Sequence, residues 1–598
     1  MRLPRIEPET KFLLLAAAVG AAGALLDAGL RALIELTHGL FARGTGTLVA
    51  PLELDARRLL LILPPMLGGL CVGLLGKFSR TDVGGYALPT FLEKVNLERG
   101  ELQLRGTLLR ALAAALTLGS GGSAGVEGPI ATLGGGIAGW MGKVQRLAGE
   151  RLRVMIACGS SAAVAAAYGA PIAGVFFTQE IVLAGNYDLQ NFVRVVVASG
   201  SATVVARAIR GDAPMYAVEP FRLVSATELV FYLALGLACG LVGALFSRAF
   251  FWSKRRFARS SVPALWRPAL GGALVGLLAI ALPDVLGTGH TLIGGLLARQ
   301  AIAFDWVLAS LGALVVAKLV ATSITIGSGG AGGIFGPSLC LGALLGALVG
   351  GLADHWWHAS TSVPGHYAMV GMGALLAATV RAPLTSVFLV FEMTGSSSTA
   401  VLPTIVAVAA SLAVARKLER HSIDETELAR RGVRLKDGRE LAALRGVTAA
   451  EAMNPGFEAV PASASAPQLQ ALVSSSRSHA FVVVDESERM LGLISLQDLR
   501  ILDSNTAASL GSLTIASDLC ERQVVTIFED EPLSKALTLL DRHGFRQLPV
   551  VERADPRRVK GMLERHHILT AYRRQLLDPA SSARLAAPND AADGTRAS

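Results

Sequence analysis

Hydrophobic positions dominate the chain up to about residue 415. Apolar stretches rich in Gly and Ala recur there, near residues 12–34, 59–77, 154–183, 192–209, 228–252, 268–282, 306–325, 338–352 and 366–415. Long apolar runs predict membrane-spanning helices, and a span needs about 20 residues to cross roughly 30 Å of hydrocarbon. Several of these stretches are shorter than that. The pattern therefore predicts an all-α polytopic membrane protein that contains broken helices.

One eleven-residue pattern occurs twice within this apolar part. Gly119–Pro129 reads GSGGSAGVEGP and Gly327–Pro337 reads GSGGAGGIFGP, about 208 positions further on. A second pair, Gly159–Glu180 and Gly371–Glu392, aligns without gaps at an offset of about 212. Two matches in the same order indicate a duplication, with copies at about 12–210 and 225–415. Short, glycine-interrupted segments at matching places in two halves are typical of inverted repeats that bind the transported ion near the membrane midplane.

Each copy of the pattern is a glycine-rich turn that leads into a hydrophobic helix. The first N–H groups of a helix have no intrahelical acceptor and lie at the positive end of its dipole, so they can bind an anion. Glu127 is the only acid within either copy, and Phe335 takes its place in the other. An ionised Glu127 would compete with the anion and protonation would release it, which predicts a gate and proton carrier. The alternative is a glutamate in a solvated loop.

The pattern changes to that of a water-soluble protein after Gly432. Two similar units, at about 446–505 and 513–575, each combine a short helical run with buried-strand runs such as Phe481–Val484. This order predicts a tandem of small α/β modules. The composition of residues 580–598 predicts a disordered tail.

Composition and charge agree with a membrane protein that carries a soluble tail. The 598 residues are 52% hydrophobic and 17% charged, with a mean hydropathy of +0.50. Basic residues precede the first apolar stretch and follow the last one, as with Lys11 and Arg416, which predicts that both termini are cytoplasmic. This placement accounts for the net charge of +9 without a nucleic-acid partner. The five cysteines are scattered singly, which favours neither disulfides nor a metal site.

These motifs resemble those of the CLC family of chloride channels and chloride/proton exchangers, over about residues 10–435. Gly125–Pro129 is similar to the family motif G-R/K-E-G-P with its gating glutamate, and Gly333–Pro337 resembles G-x-F-x-P. The resemblance implies an inverted-repeat fold for residues 1–435, with Ile334 and Phe335 at a central anion and Glu127 at an outer position. It makes anion-binding candidates of Gly125, Val126, Gly128, Pro129, Gly333, Ile334, Phe335, Gly336 and Pro337.

The chain departs from the family pattern at three places. Tyr86 stands where the family's G-S-G-I-P motif has an anion-coordinating serine, and Asp424 stands where a tyrosine usually donates its hydroxyl. Either Asp424 points elsewhere or Tyr86, a further anion-binding candidate, supplies the missing donor. The glutamate that receives protons in many exchangers is replaced by Ile181, directly after Glu180, which is itself a candidate for another proton route. We therefore predict passive, channel-like chloride transport, with chloride/proton antiport as the alternative.

The soluble tail resembles a pair of CBS motifs. In that family a Ser or Thr and an Asp three residues later often contact an adenosine nucleotide, and Ser495 and Asp498 have this spacing. The second unit has Glu564 and His567 in those places, so one nucleotide site at most is implied. The alternative is a dimerisation module without a ligand. No other cofactor and no metal is expected.

Two further function classes fit the residues less well. A nucleotide-dependent membrane enzyme would use the G-x-G-x-x-G/A pattern present in both copies, but no strand precedes it and no lysine follows, so we predict no enzyme. A CBS-regulated transporter of a divalent cation would need clustered acids in the membrane half, where acids are isolated. The prediction is a CLC-type transporter of chloride or a similar small anion. We expect a homodimer in the lipid bilayer of a bacterial inner membrane.

Overall fold

The computed structural model describes two compact units, Met1–Leu435 and Lys436–Ser598. Within them the described residues are 7–49, 59–79, 81–97, 100, 102–184, 189–216, 218–298, 306–357, 361–396, 398–433, 435, 444, 447–476, 480–495, 514–543 and 545–577. Asp498 and the predicted tail at 580–598 lie outside them.

The described part of the first unit is helical. Its α-helices are α1 (Pro8–Val49), α2 (Leu63–Ser79), α3 (Leu88–Asn96), α4 (Leu104–Gly119), α5 (Glu127–Val144), α6 (Gly149–Tyr168), α7 (Pro171–Phe177), α8 (Leu189–Arg210), α9 (Glu228–Ala258), α10 (Arg267–Ala281), α11 (His290–Leu297), α12 (Trp306–Gly327), α13 (Phe335–Trp357), α14 (Pro364–Val380), α15 (Pro383–Thr394), α16 (Val401–Leu418) and α17 (Ile423–Arg430). Among the described residues, seven helical segments are long and apolar enough to cross a membrane. Others, such as α7 and α15, are too short, so the prediction of an all-α membrane fold with broken helices is confirmed.

The two short helices α7 and α15 are separated from the helices before them by equivalent breaks. Gly169 ends α6 in the left-handed conformation (φ 65°) and Pro171 starts α7. At the matching place Arg381, also left-handed (φ 63°), ends α14 and Pro383 starts α15. Glycine adopts this conformation without strain, whereas a residue with a Cβ does so at a cost of about 1 kcal/mol. Proline is favourable at a helix start because no N–H is needed there.

Glycine pairs allow the buried central helices to approach each other closely. A methyl group on Gly159 of α6 would overlap the carbonyl oxygen of Gly134 on α5. A methyl group on Gly371 of α14 would likewise overlap the carbonyl oxygen of Gly342 on α13. Small residues at helix crossings are the usual means of tight packing in membranes, where lipid removes most of the hydrophobic driving force between helices. The same crossing therefore occurs once in each copy of the repeat.

The second unit contains two sheets of identical topology. Its strands are β1 (Ala459–Pro461), β2 (Ala480–Val484), β3 (Met490–Ser495), β4 (Ile527–Phe528), β5 (Gln547–Val551) and β6 (Val559–Glu564). In each sheet the middle strand is parallel to the first and antiparallel to the third; Val460 pairs with Val483, and Ile527 with Val550. The helices are α18 (Ala449–Ala452), α19 (Ala466–Ser475), α20 (Ala516–Leu519), α21 (Leu533–His543) and α22 (Arg565–Leu577). The predicted tandem of α/β modules is confirmed.

Each module of the second unit is completed by the segment that precedes the other module. Ala449 donates its N–H to the carbonyl oxygen of Glu531 (2.8 Å), so the start of the first module joins the second. Ala516 donates to the carbonyl oxygen of Ala464 (2.9 Å), so the start of the second joins the first. The two modules therefore fold as one body.

Candidate anion pathway

The two copies of the duplicated pattern meet through their backbones. Gly125 donates its N–H to the carbonyl oxygen of Gly333 (2.8 Å), and Gly333 donates to the carbonyl oxygen of Gly125 (2.7 Å). This pairing is antiparallel, so the two copies run in opposite directions where they touch. The predicted inverted relation of the halves is therefore visible at the motif itself.

Two threonines, one in each copy, extend this reciprocal contact. The hydroxyl of Thr325 accepts the N–H of Ser123 (3.1 Å), and the hydroxyl of Thr117 accepts the N–H of Ala331 (3.0 Å). Thr117 and Thr325 are equivalent residues of the repeat, as are Ser123 and Ala331. Each half therefore supplies a hydroxyl acceptor for the glycine-rich turn of the other half.

The helices after the two turns begin at equivalent residues, α5 at Glu127 and α13 at Phe335. Both starts are fully buried, and Pro129 and Pro337 lie in the first turn, where a missing N–H has no effect on the helix. Because Gly125 and Gly333 are bonded to each other, the two N-termini lie side by side. Their combined N–H groups and dipoles create a site that favours negative charge.

The carboxylate of Glu127 occupies this site. Its side chain is 1% exposed, and one oxygen, Oε1, accepts a hydrogen bond from the hydroxyl of Tyr168 at the end of α6. The carboxylate also lies against the N–H of Gly336 in α13 and against Gly125. Its other oxygen, Oε2, has no hydrogen-bond partner of good geometry among the described residues. Glu127 therefore contacts both copies, at the place where the helix starts would hold an anion.

Tyr86 lies on the other side of the first copy. The turn before it is fixed to the second copy, because Gly85 donates its N–H to the carbonyl oxygens of Gly329 and Gly330 (both 3.2 Å). Its ring lies against Gly128 and meets Phe250 edge to face, with centroids 6.1 Å apart. Its hydroxyl is buried and faces the carboxylate of Asp424, without completing a hydrogen bond of good geometry. Asp424 therefore points towards Tyr86, and the role of Tyr86 as the anion's hydroxyl donor stays a prediction.

A cavity of about 760 Å³ opens beside Tyr86. It is lined by the turn at Gly84–Ala87 and by parts of α2, α9 and α12. Five cationic side chains and one acid are among its lining residues: Lys77, Arg110, Lys254, Arg267, Arg431 and Asp82. A cavity with such an excess of positive charge raises the local concentration of anions.

Glu180 has a structural use that the sequence did not reveal. Its carboxylate accepts the N–H groups of Leu384 (3.0 Å) and Thr385 (2.8 Å), which begin α15, and the hydroxyl of Thr385 (2.6 Å). In the other half Glu392 accepts the N–H groups of Ile172 (3.0 Å) and Ala173 (2.8 Å), which begin α7. Each glutamate thus caps the short helix of the opposite repeat. A role of Glu180 in proton transfer stays a prediction.

Tyr168 is the site residue that the sequence analysis missed. Its equivalent in the second copy is Val380, just as Phe335 is the equivalent of Glu127. Glu127 and Tyr168, each polar where the second copy is apolar, are the two partners of one buried hydrogen bond. Several other aligned positions differ in the same way, so a comparison of the copies does not by itself single out Tyr168.

In the second unit, Ser495 ends strand β3, and its partner Asp498 lies outside the described residues. At the equivalent place in the other module, Glu564 accepts a hydrogen bond from the amide of Gln547 (2.6 Å) and donates its N–H to Nδ1 of His567 (3.2 Å). Burial lowers the pKa of His567 below its usual value, and the neighbouring His566 adds to this. The side chain of Glu564 is thus already occupied, in keeping with one nucleotide site at most.

An inverted-repeat membrane fold with two helix N-termini around one buried carboxylate defines a transport protein for small anions. Residues 67–416 match the voltage gated chloride channel family, and residues 449–504 and 516–574 match the CBS domain. The chain therefore belongs to the voltage gated chloride channel, or CLC, family of chloride transport proteins and carries a CBS pair.

Relatives of known description cover both parts of the chain. A ClcB-like chloride channel protein of Ralstonia nicotianae is 34% identical over 425 residues, which are 70% of this chain and 96% of the relative. The chloride channel protein CLC-f of Arabidopsis thaliana is 29% identical over 652 residues, 95% of this chain and 81% of the relative. The crystal structure of a slow cyanobacterial Cl⁻/H⁺ antiporter matches 71% of this chain and 98% of its own, with 26% identity and a TM-score of 0.63.

Proposed function

We propose that the protein carries chloride along a path between the N-termini of α5 and α13, and that Glu127 is the gate of this path. The observation that carries the proposal is the position of the Glu127 carboxylate, buried against Gly125 and Gly336 of the two copies. A carboxylate and a chloride ion need the same N–H donors there. The path is therefore closed by an ionised Glu127 and opened when the side chain leaves.

Protonation is the event that releases the side chain. An ionised Glu127 is held by the peptide N–H groups and by the hydroxyl of Tyr168. A neutral carboxyl group interacts far more weakly with the helix dipoles, so chloride then displaces it. Residues of both motifs bind the anion along the path. The N–H groups of Ile334 and Phe335 hold the central anion, and those around Val126 and Gly128 hold the outer anion.

We propose passive, channel-like conduction rather than obligatory proton exchange. Ile181 is buried and cannot carry a proton, and the carboxylate of Glu180 is engaged at the start of α15. Antiport is the second candidate, because this chain matches 98% of the cyanobacterial antiporter with 26% sequence identity. In that case protons would reach Glu127 by a route without a glutamate at position 181.

One flux experiment separates the two candidates. The purified protein is placed in liposomes with equal chloride on both sides, a pH gradient is imposed, and chloride movement is recorded. Passive conduction predicts no net chloride movement when the membrane potential is held at zero, whereas antiport predicts chloride driven by the proton gradient. Glu127→Gln is the control, because it removes the proton carrier in both schemes. A wild-type protein whose chloride flux has the same pH profile as Glu127→Gln would contradict the gate.

We also propose that the transport unit is a homodimer. The short helices α7 and α15 expose Ile172 and Leu384 side by side, and Phe176 stacks on Phe388 with centroids 5.1 Å apart. The neighbouring helices α8 and α16 expose further apolar side chains, among them Val204 and Leu402. Such a face is suited to lipid or to a second copy. The mass of the detergent-solubilised protein, measured by light scattering, distinguishes a dimer from a monomer.

The CBS pair is the proposed regulatory part. Ser495 at the end of β3 and Asp498 are the residues that would contact the phosphate and ribose of an adenosine nucleotide. The basic residues in the last turn of α16, Arg416 and Lys417, favour a cytoplasmic side for this unit, where such nucleotides are present.

A further inference from the structure

A second carboxylate is buried near the path, and the proposed mechanism does not use it. Asp424 lies in the first turn of α17 and is 3% exposed. Neither of its carboxylate oxygens has a hydrogen-bond partner of good geometry among the described residues. A buried polar group without a partner is expensive, so its presence needs an explanation.

Capping of α17 does not provide that explanation. The hydroxyl of Ser422 accepts the N–H of Glu425 (3.0 Å), and the carboxylate of Glu425 accepts the N–H of Ser422 (3.0 Å), so a complete capping box closes the N-terminal end of the helix. The N–H groups that an acid at the helix start could accept are thus already bound by Ser422 and Glu425. The carboxylate of Asp424 is left to face the space in front of the helix start.

Tyr86 shares this space with Asp424. The tyrosine hydroxyl faces the aspartate carboxylate, and it also lacks a hydrogen bond of good geometry among the described residues. Tyr86 lines the cationic cavity on one side and lies against Gly128 on the other. Two buried oxygen groups therefore converge between the cavity and the gate at Glu127, and both have hydrogen-bonding capacity to spare.

The charges around Asp424 do not neutralise it. Glu427 on the same helix is paired with Lys254 (2.6 Å) and Arg431 (2.9 Å). Arg381, at the end of the neighbouring helix α14, donates to the carbonyl oxygen of Glu419 (2.9 Å). The remaining groups that act on Asp424 are the acid Glu425 on its own helix and the hydroxyl of Tyr86 in the turn before α3. Glu127 in turn acts on Tyr86.

We propose that Asp424 is a second carboxylate switch of the anion path, on the cavity side of Glu127. A protonated Asp424 donates its O–H, together with the hydroxyl of Tyr86, to an anion in front of α17. An ionised Asp424 accepts the hydroxyl of Tyr86 instead and repels the anion. The proton comes from the solution in the cavity, so chloride enters from that side more readily at low pH. This inference rests on the proposed function, because it assigns Asp424 to the same path.

Chloride binding in the Glu127→Gln background tests the inference, because the gate no longer titrates there. Chloride affinity of the purified full-length protein is measured by calorimetry at about pH 5.5 and about pH 8, because burial disfavours the charged form of a carboxyl group and moves its titration above that of a solvated aspartate. We expect Glu127→Gln to bind chloride at least about tenfold more tightly at the lower pH, since one negative charge is removed beside the anion. In the double variant with Asp424→Asn the two affinities should agree within about twofold, because the amide is neutral at both values.

Glu425→Gln in the same background is the matched control. Glu425 is an exposed acid on the same helix, and glutamine preserves the capping box. This control should keep the pH dependence of chloride affinity. Asp424→Ser is the second neutral variant, used if Asp424→Asn does not fold.

The outcomes separate this inference from the proposed function. The switch at Asp424 is overturned if the ratio of chloride affinities at the two pH values is the same in Glu127→Gln and in the double variant. It is also overturned if Glu127→Gln binds no chloride, or binds it independently of pH. Wild-type flux with the same pH profile as Glu127→Gln instead contradicts the gate at Glu127. In that case the ratio of chloride affinities at the two pH values still decides the role of Asp424, because affinity is measured without transport.

Discussion

The hydroxyl of Tyr168 controls, by our reasoning, the pH at which the path opens. Tyr168→Phe deletes one oxygen atom and leaves the ring in its buried place at the end of α6. The deleted group is the donor to Oε1 of Glu127. Because the hydroxyl donates to an ionised carboxylate, its loss destabilises the closed state and leaves the open state nearly unchanged. The pH of half-maximal chloride flux should therefore rise.

The size of this rise follows from the energy of one hydrogen bond. A hydrogen bond to a charged group contributes about 1.5–3 kcal/mol. One pH unit corresponds to about 1.4 kcal/mol, so the midpoint should move up by roughly 1–2 units. The lower end is the better expectation, because the N–H of Gly336 and the start of α5 still act on the carboxylate.

Chloride efflux from liposomes, recorded from about pH 4 to about pH 9 with equal pH on both sides, measures the midpoint. Tyr367→Phe is the matched control, because Tyr367 is also a buried tyrosine of the first unit and its hydroxyl has no partner of good geometry among the described residues. It should leave the midpoint in place. A Tyr168→Phe protein that folds, transports chloride and has a midpoint equal to or below the wild-type value would refute the assignment of Tyr168.

Three further outcomes are expected. Tyr86→Phe should change the preference between chloride and nitrate in competition flux, since it removes a donor at the cavity side of the path; unchanged selectivity would count against Tyr86 as a ligand. Glu392→Gln should lower the free energy of unfolding of the protein in detergent by about 1–3 kcal/mol, because a charged cap of α7 is lost. The exposed Glu150→Gln, which should have little effect on stability, is its control. Ser495→Ala should weaken ATP or AMP binding to the full-length protein in calorimetry, whereas Ser487→Ala should not, and absence of binding to the wild type would remove the nucleotide site.

The helix starts at Glu127 and Phe335 could be predicted because their signals are local. A glycine-rich turn followed by proline in the first helical turn has few other solutions, and repetition made the signal stronger. The duplication predicts that the two copies meet, because matching broken helices tend to do so, whereas the individual pair Gly125–Gly333 is known only from the structure.

The partners of the buried carboxylates could not be read from the same signals. Tyr168 is 41 residues from Glu127 along the chain, and Leu384 is 204 residues from Glu180. Such contacts depend on how helices pack, which hydrophobic periodicity does not specify. The alignment of Glu180 with Glu392 did hint at reciprocal capping, since the same glutamate in both copies can cap the short helix of the opposite copy. The orientation of Asp424 was left open because a single position in a helix does not fix what its side chain faces.

The reciprocal bonding of the two glycine-rich turns sets an order on biosynthesis. Gly125 and Thr117 need partners about 208 positions later in the chain, at Gly333 and Ala331. At about 5–20 residues per second, the ribosome takes roughly 10–40 s to make that distance. During this interval the N-terminal half resides in the bilayer with polar backbone groups that only the unmade half can satisfy. A ribosome stalled between the copies would therefore leave a half-protein exposed to membrane proteases, and the permeation route itself exists only after the second half has been inserted.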